Sequence, residues 1–216
     1  MHPSELKQFC SFYASIPARD LFDIDKARLL RSVRSRTTLT WGQLSALYDA
    51  ARRIERERIP GNVVECGVAR GGSSAILSAA LDSDHARHLW MFDSWESETG
   101  QNARDLLLRK LLLNPCRKHF VKGWFRESLP QEKSAIGKIA LLHLDVGGLE
   151  AATYCLDQLY EQIVPGGMVL IDGHRRPRDA RKSFQKTDAQ FEITTSAALL
   201  LRKSFALPPA AIAAGA

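Results

Sequence analysis

No run of about 18 apolar residues occurs in the 216-residue chain, so no segment reads as a membrane-crossing helix. Its four cysteines are Cys10, Cys66, Cys116 and Cys155, and no two lie within four residues of each other. That spacing excludes a C-x-x-C metal or redox pair and leaves free thiols, as expected of a cytoplasmic protein. Met1–Phe12 lacks the basic and apolar regions of a secretory signal. No G-x-G-x-x-G fingerprint is present, which disfavours an NAD-dependent dehydrogenase. No helix-turn-helix, zinc-finger or RNP-type motif is present either, which disfavours nucleic acid as a partner. With 45% hydrophobic and 25% charged residues, the composition is not that of a disordered chain. The length suits one domain with a sufficient core.

What the chain does have is unevenly placed positive charge. The formal net charge is +6. Residues 175–186 carry six Lys/Arg against one acid, residues 19–58 carry ten against six, and the remainder is slightly acidic. Arginines of the first cluster, Arg175, Arg176 and Arg178, suit phosphate or carboxylate groups. A solvated basic helix face is the competing reading.

Residues 1–38 read as an irregular N-terminal or lid segment, 39–205 as the main domain and 206–216 as a loose Ala/Pro-rich tail. Thr40 reads as the N-cap of a helix whose apolar face is Trp41, Leu44, Leu47, Tyr48, Ala51 and Ile54, stopped by Pro60-Gly61. Beyond it, short apolar runs alternate with helical segments. The strand candidates are 63–66, 88–93, 120–122, 139–145, 168–172, 191–195 and 198–202. Helices are expected from the glycine turn to about Leu81, over 103–113, over 149–164 and near 178–186. This alternation predicts an α/β fold with a doubly wound, mostly parallel seven-stranded sheet. The last two strands have almost no linker and must pair as a hairpin, which makes one strand antiparallel.

In such sheets, ligands bind beyond the carboxyl ends of the strands. The first of these turns reads Glu65-Cys66-Gly67-Val68-Ala69-Arg70-Gly71-Gly72-Ser73. Its glycines allow close backbone approach, and the helix after it offers free N–H groups; a plain tight turn is the competing reading. Asp93 ends the second strand, where nucleotide-binding α/β folds place an acid for ribose hydroxyls. Asp145 and Asp172 end two further strands.

The stretches 36–54, 61–81, 88–96, 119–130, 141–153 and 164–173, in this order, resemble the macrocin O-methyltransferase family of S-adenosylmethionine-dependent enzymes. The resemblance implies a class I, Rossmann-like methyltransferase sheet. It implies that Glu65, Gly67, Arg70, Gly71, Gly72 and Ser73 hold the methionine end of S-adenosylmethionine. Asp93 would hold its ribose with Ser94 and Trp95 beside it, and Gly123 and Trp124 would lie near the adenine. Asp145 joins this set. The acceptor implied is a small-molecule hydroxyl on a sugar or natural product, anionic if the basic cluster contacts it; a homodimer is a further possibility for the assembly.

The resemblance also breaks in one place. Sugar-modifying relatives carry Asp-x-Asp after strand four and Asp-Asp after strand five, which hold magnesium and supply a base. Here Asp145 and Asp172 match the first acid of each pair, and Gly147 and Gly173 replace the second. Asp145 and Asp172 alone make a weak magnesium site, so metal dependence is expected to be slight or absent. His174 is the leading replacement base and His143 the second, with Asp145 and Asp172 completing the catalytic set. A fold that binds cofactor without catalysis, and a nucleic-acid methyltransferase, are the alternatives.

Overall fold

A computed structural model of the chain describes residues 9–10, 12–13, 16–81, 87–96, 115–172, 189–195 and 198–204. Seven strands, β1 (Asn62–Cys66), β2 (Leu89–Asp93), β3 (Lys118–Lys122), β4 (Ile139–Leu144), β5 (Ile163–Ile171), β6 (Ala189–Thr195) and β7 (Ala198–Lys203), form one sheet in the order β3-β2-β1-β4-β5-β7-β6. The first five pair in parallel, and β7 runs antiparallel to both β5 and β6. This is the expected sheet with its one reversed strand. The order reverses beside β1, so the crevice of such a fold opens between the carboxyl ends of β1 and β4.

Five helices of the described residues cover it: α1 (Ile24–Ser32), α2 (Trp41–Arg56), α3 (Gly72–Ala80), α4 (Phe125–Ile136) and α5 (Leu149–Leu159). The two-residue period of the strands divides the core. Val63, Met91, Leu141 and Leu170 face α2 and α3, and Val64, Phe92, Leu142 and Ile171 face α4 and α5. Thr40 caps α2 as expected, in a reciprocal capping box with Gln43.

Three expectations change. Residues 24–32, read as irregular, form α1, which is tied to α2 through charge: Lys26, 3% exposed, lies 2.9 Å from Asp20 and 2.6 Å from Asp49, and the Trp41 indole donates to Asp20 at 2.8 Å. Lys26 and the Trp41 indole together hold the Asp20 carboxyl below its usual range even though burial pushes it up. Second, α4 is not among the expected helices, and it carries Pro130 in its interior. Pro130 cannot donate to the carbonyl of Arg126, and the Tyr154 hydroxyl of α5 bonds that carbonyl instead, at 3.4 Å. Third, the helix expected to reach residue 164 ends at Leu159. Ile163 pairs with Ile139, and a register shift then carries the chain through Pro165-Gly166-Gly167 before Met168 pairs with Leu141. A Cβ on Gly167 would lie 2.8 Å from the Ile163 side chain, so the bulge needs glycine there. The expected helices over 103–113 and 178–186 lie outside the described residues.

Candidate active site

The strand register brings the sequence-predicted residues to one edge. The amides of Gly67, Asp145 and Asp172 donate across to Phe92, Cys66 and Leu144 at 2.8–2.9 Å, and Gly123 donates to Asp93 at 3.1 Å. Gly67 (φ 89°) is fixed by packing, since a Cβ there would lie 2.0 Å from the Asp145 carbonyl oxygen. Gly71 (φ 82°) caps α3 without any side-chain cap bond, so the first amides of that helix lack a capping acceptor. Gly72 packs on Arg36 and Thr37, Ser73 is buried and Arg70 is exposed.

Asp93 clamps the glycine turn. Its Oδ2 accepts from the amides of Val68 (2.9 Å) and Ala69 (3.0 Å), and its Oδ1 accepts from the amide of Trp95 (3.0 Å). Ala69 (φ 49°) and Trp95 (φ 53°) are both left-handed non-glycine residues, a conformation that costs about 1–2 kcal/mol each. The carboxylate offsets that strain, and lone-pair capacity remains on Oδ1 for a further donor. Ser94 is half-buried beside it. The Trp95 ring is 2% exposed and tilted against Phe120. Trp124, in contrast, is 59% exposed and lines a groove of about 560 Å³ with Phe125, Gly147, Gly148 and Tyr154.

Glu65, His143 and Asp172 share a face of the sheet. Glu65 and His143 are register partners, and all three are 0% exposed. His143 donates from Nδ1 to Glu65 at 3.1 Å and from Nε2 to Asp172 at 3.0 Å. Ser74 of α3 donates to the other Glu65 oxygen, and Gln43 of α2 donates to the other Asp172 oxygen at 3.1 Å. A ring with carboxylate acceptors at both nitrogens is an imidazolium. Burial opposes that charge, but the hydrogen bonds to Asp172 and then Glu65 outweigh it and raise the His143 pKa to about 10.

This row fixes what three of the expected site residues touch. Each Glu65 oxygen accepts one hydrogen bond inside the sheet, from His143 and from Ser74. His143 cannot take a proton from an acceptor, being buried and already protonated. Asp172 accepts one hydrogen bond on each oxygen and, unlike Asp93, has no exposed surface. The donor set therefore does not fit magnesium: among the described residues, no three His, Cys, Asp or Glu side chains are arranged to hold an ion. Gly173 and His174 lie outside the described residues. Gln43 and Ser74 were not anticipated.

Asp145 is the carboxylate left at the mouth of the crevice. It is half-buried, and its carboxylate makes no hydrogen bond among the described residues. Burial raises its pKa to about 6; His143 acts against this, and the charges of Asp172 and Glu65 add to it. Such a group titrates close to neutral pH, which suits proton transfer.

A profile of a family described as a methyltransferase domain matches residues 64–173. Among curated proteins, a tetracenomycin-C-pathway 4'-O-methyltransferase of Streptomyces olivaceus, acting on a dimethoxyrhamnosyl derivative, is 30% identical over 158 residues, 61% of this chain and 60% of that protein. Demethyldecarbamoylnovobiocin O-methyltransferase of Streptomyces niveus is 25% identical over 179 residues, 70% of this chain and 67% of that protein. The chain thus spans about 60% of the length of the first of these relatives. Among solved structures, the O-methyltransferase NovP superposes with a TM-score of 0.65 at 21% identity, covering 78% of this chain and 82% of that one. CalS11, a TDP-rhamnose 3'-O-methyltransferase, superposes with a TM-score of 0.60 at 19% identity, covering 94% and 95%. These two likenesses show the fold.

Proposed function

The chain belongs to the methyltransferase-domain family, and from that premise we propose that it moves a methyl group from S-adenosylmethionine to a hydroxyl of a glycosylated natural product. The stretches that resemble macrocin O-methyltransferases, and the sugar and natural-product substrates named for the curated relatives, support that acceptor class. An anionic acceptor is the narrower form of the reading, supported by the six Lys/Arg of residues 175–186.

The residues present fit the cofactor. The uncapped amides of α3 and the Gly67–Ser73 turn suit a carboxylate, the free lone pair of Asp93 suits a ribose hydroxyl, and the exposed Trp124 face suits a purine. When bound, S-adenosylmethionine supplies an electrophilic methyl carbon for in-line attack by the acceptor oxygen. Asp145 receives the proton that this hydroxyl loses. The observation that carries the reading is this unpartnered carboxylate at the crevice mouth, with its pKa raised to about 6. Magnesium has no step here, because Asp172 is spent on His143 and Gln43.

Calorimetry with S-adenosylhomocysteine tests the cofactor half. Mass-spectrometric detection of methyl transfer to deoxysugar-bearing acceptors tests the other half. Binding without transfer across such a set would favour the second reading, a cofactor-binding protein that has lost catalysis. The engagement of Asp172 is the observation in favour of that reading.

A further inference from the structure

Away from the crevice, two imidazoles meet on the outermost strand pair. His88 immediately precedes β2, and His119 lies on β3 directly across from Trp90. Strand alternation puts His88 and Trp90 on one face with His119 opposite them. The His119 ring lies flat on the Trp90 indole, with centroids 3.9 Å apart and planes 10° apart. Its Nε2 is 2.7 Å from Nδ1 of His88. The His88 amide donates to the Asn62 side chain at 3.0 Å, which fixes the backbone on that side. Both imidazoles are half-buried, so solvent reaches them.

At that separation one ring donates its proton to the lone pair of the other, and the two rings face each other with centroids 4.9 Å and planes 28° apart. Two imidazole nitrogens sharing one tetrahedral ion, each at about 2.0–2.1 Å, stand roughly 3.3 Å apart. Replacing the proton with an ion therefore asks the two rings to part by about 0.6 Å and to turn toward a common point. Burial, and then the charge of His88, keep the His119 pKa below the usual histidine value, while the charge of Glu132 on α4 acts the other way. The neutral ring that results is the form that ligates. Imidazole pairs suit zinc, copper and nickel rather than magnesium. Among the described residues no third side chain completes the set, so the ion would keep water ligands.

We infer that His88 and His119 form a two-imidazole binding site for a zinc-class divalent cation on the sheet edge. The site is separate from the crevice: His88 lies five residues before Asp93, roughly 16 Å along the strand. The inference does not depend on the methyl-transfer reading.

Zinc titrated into the full chain by calorimetry tests it, alongside His88→Gln and His119→Gln. Loss of a partner that only orients a ligand costs about 10–100-fold in metal affinity. Each variant, having lost a ligand itself, should bind zinc at least about tenfold more weakly, while affinity for S-adenosylhomocysteine stays at the wild-type value. His88→Gln leaves the stack of His119 on Trp90 in place and decides the matter if His119→Gln fails to fold. In wild-type protein, zinc should also shift the side-chain NMR resonances of both rings. Unchanged zinc affinity in the folded variants, or wild-type rings that zinc does not move, would overturn the site.

Discussion

His143 donates to the Asp172 carboxylate at 3.0 Å, so the acid that closes β5 is held inside the sheet. The same ring bonds Glu65, and α2 and α3 reach in with Gln43 and Ser74 to complete the row. Removing the cation leaves two buried carboxylates facing each other. His143→Leu should therefore lower stability by about 3–5 kcal/mol, the cost of breaking a buried ion pair from one side. Chemical denaturation measures this directly. A loss under about 1 kcal/mol would show that the row is not ionic.

The same ring sets a pH dependence. The folded-state pKa of His143 is raised to about 10 from the ordinary 6.5. Between those values the folded protein holds a proton that the unfolded chain has released. The stabilisation is fully present below about pH 6.5 and is lost as pH rises through about 10, with a slope near 1.4 kcal/mol per pH unit. Urea midpoints of the wild type should fall across this window. His143→Gln should flatten that part of the dependence; an equally steep fall in the variant would assign it to other groups.

Asp145 and His174 are rival proton acceptors, and kinetics separates them. If Asp145 is the base, Asp145→Asn should cut turnover by about 10²-fold or more while S-adenosylhomocysteine affinity changes little. The acid limb of the wild-type pH–rate profile should lie near pH 6, where Asp145 ionises, and should vanish in that variant. His174→Ala should then retain turnover. The reverse pattern, with His174→Ala inactive and Asp145→Asn active, moves the role to His174.

The sheet was legible because its signals are local: short apolar runs, glycine turns and a final hairpin with almost no linker. The crevice residues were legible for the same reason, since each follows a strand. The roles of Glu65 and Asp172 were not. The sequence shows an acid after a strand, but whether that acid points to ligand or to a neighbouring imidazole depends on contacts between residues 78 and 29 positions apart. Gln43 was harder still, because its bond to Asp172 spans 129 positions. Helix α4 was missed as well, and the carbonyl that its Pro130 leaves open is answered by a tyrosine on another helix.

Asp93 should prove as much a structural clamp as a ligand for ribose. Three backbone amides, two of them belonging to left-handed residues, depend on its charge. Asp93→Asn keeps an acceptor on one side only, and each lost charged hydrogen bond costs about 1.5–3 kcal/mol. The variant should melt earlier and bind S-adenosylhomocysteine at least about tenfold more weakly. A variant that loses affinity with an unchanged melting temperature would confine Asp93 to ligand contact.

Metal dependence follows from donor geometry. With Asp172 buried and hydrogen-bonded on each oxygen, Asp145 is the strand-end acid of β4 and β5 whose carboxylate makes no hydrogen bond among the described residues. One free carboxylate leaves magnesium to water and substrate, so chelation should leave methyl transfer within about twofold of its starting rate. Gly147 is where the resembling sugar-modifying enzymes carry their second acid. A Cβ there meets nothing within 4 Å, so Gly147→Asp should fold without rearrangement and add an oxygen donor two residues from Asp145. Magnesium titration should detect binding in that variant and not in the wild type. If EDTA instead abolished wild-type activity and magnesium restored it, Asp172 would have to leave His143 during turnover, and the buried row would be a resting arrangement.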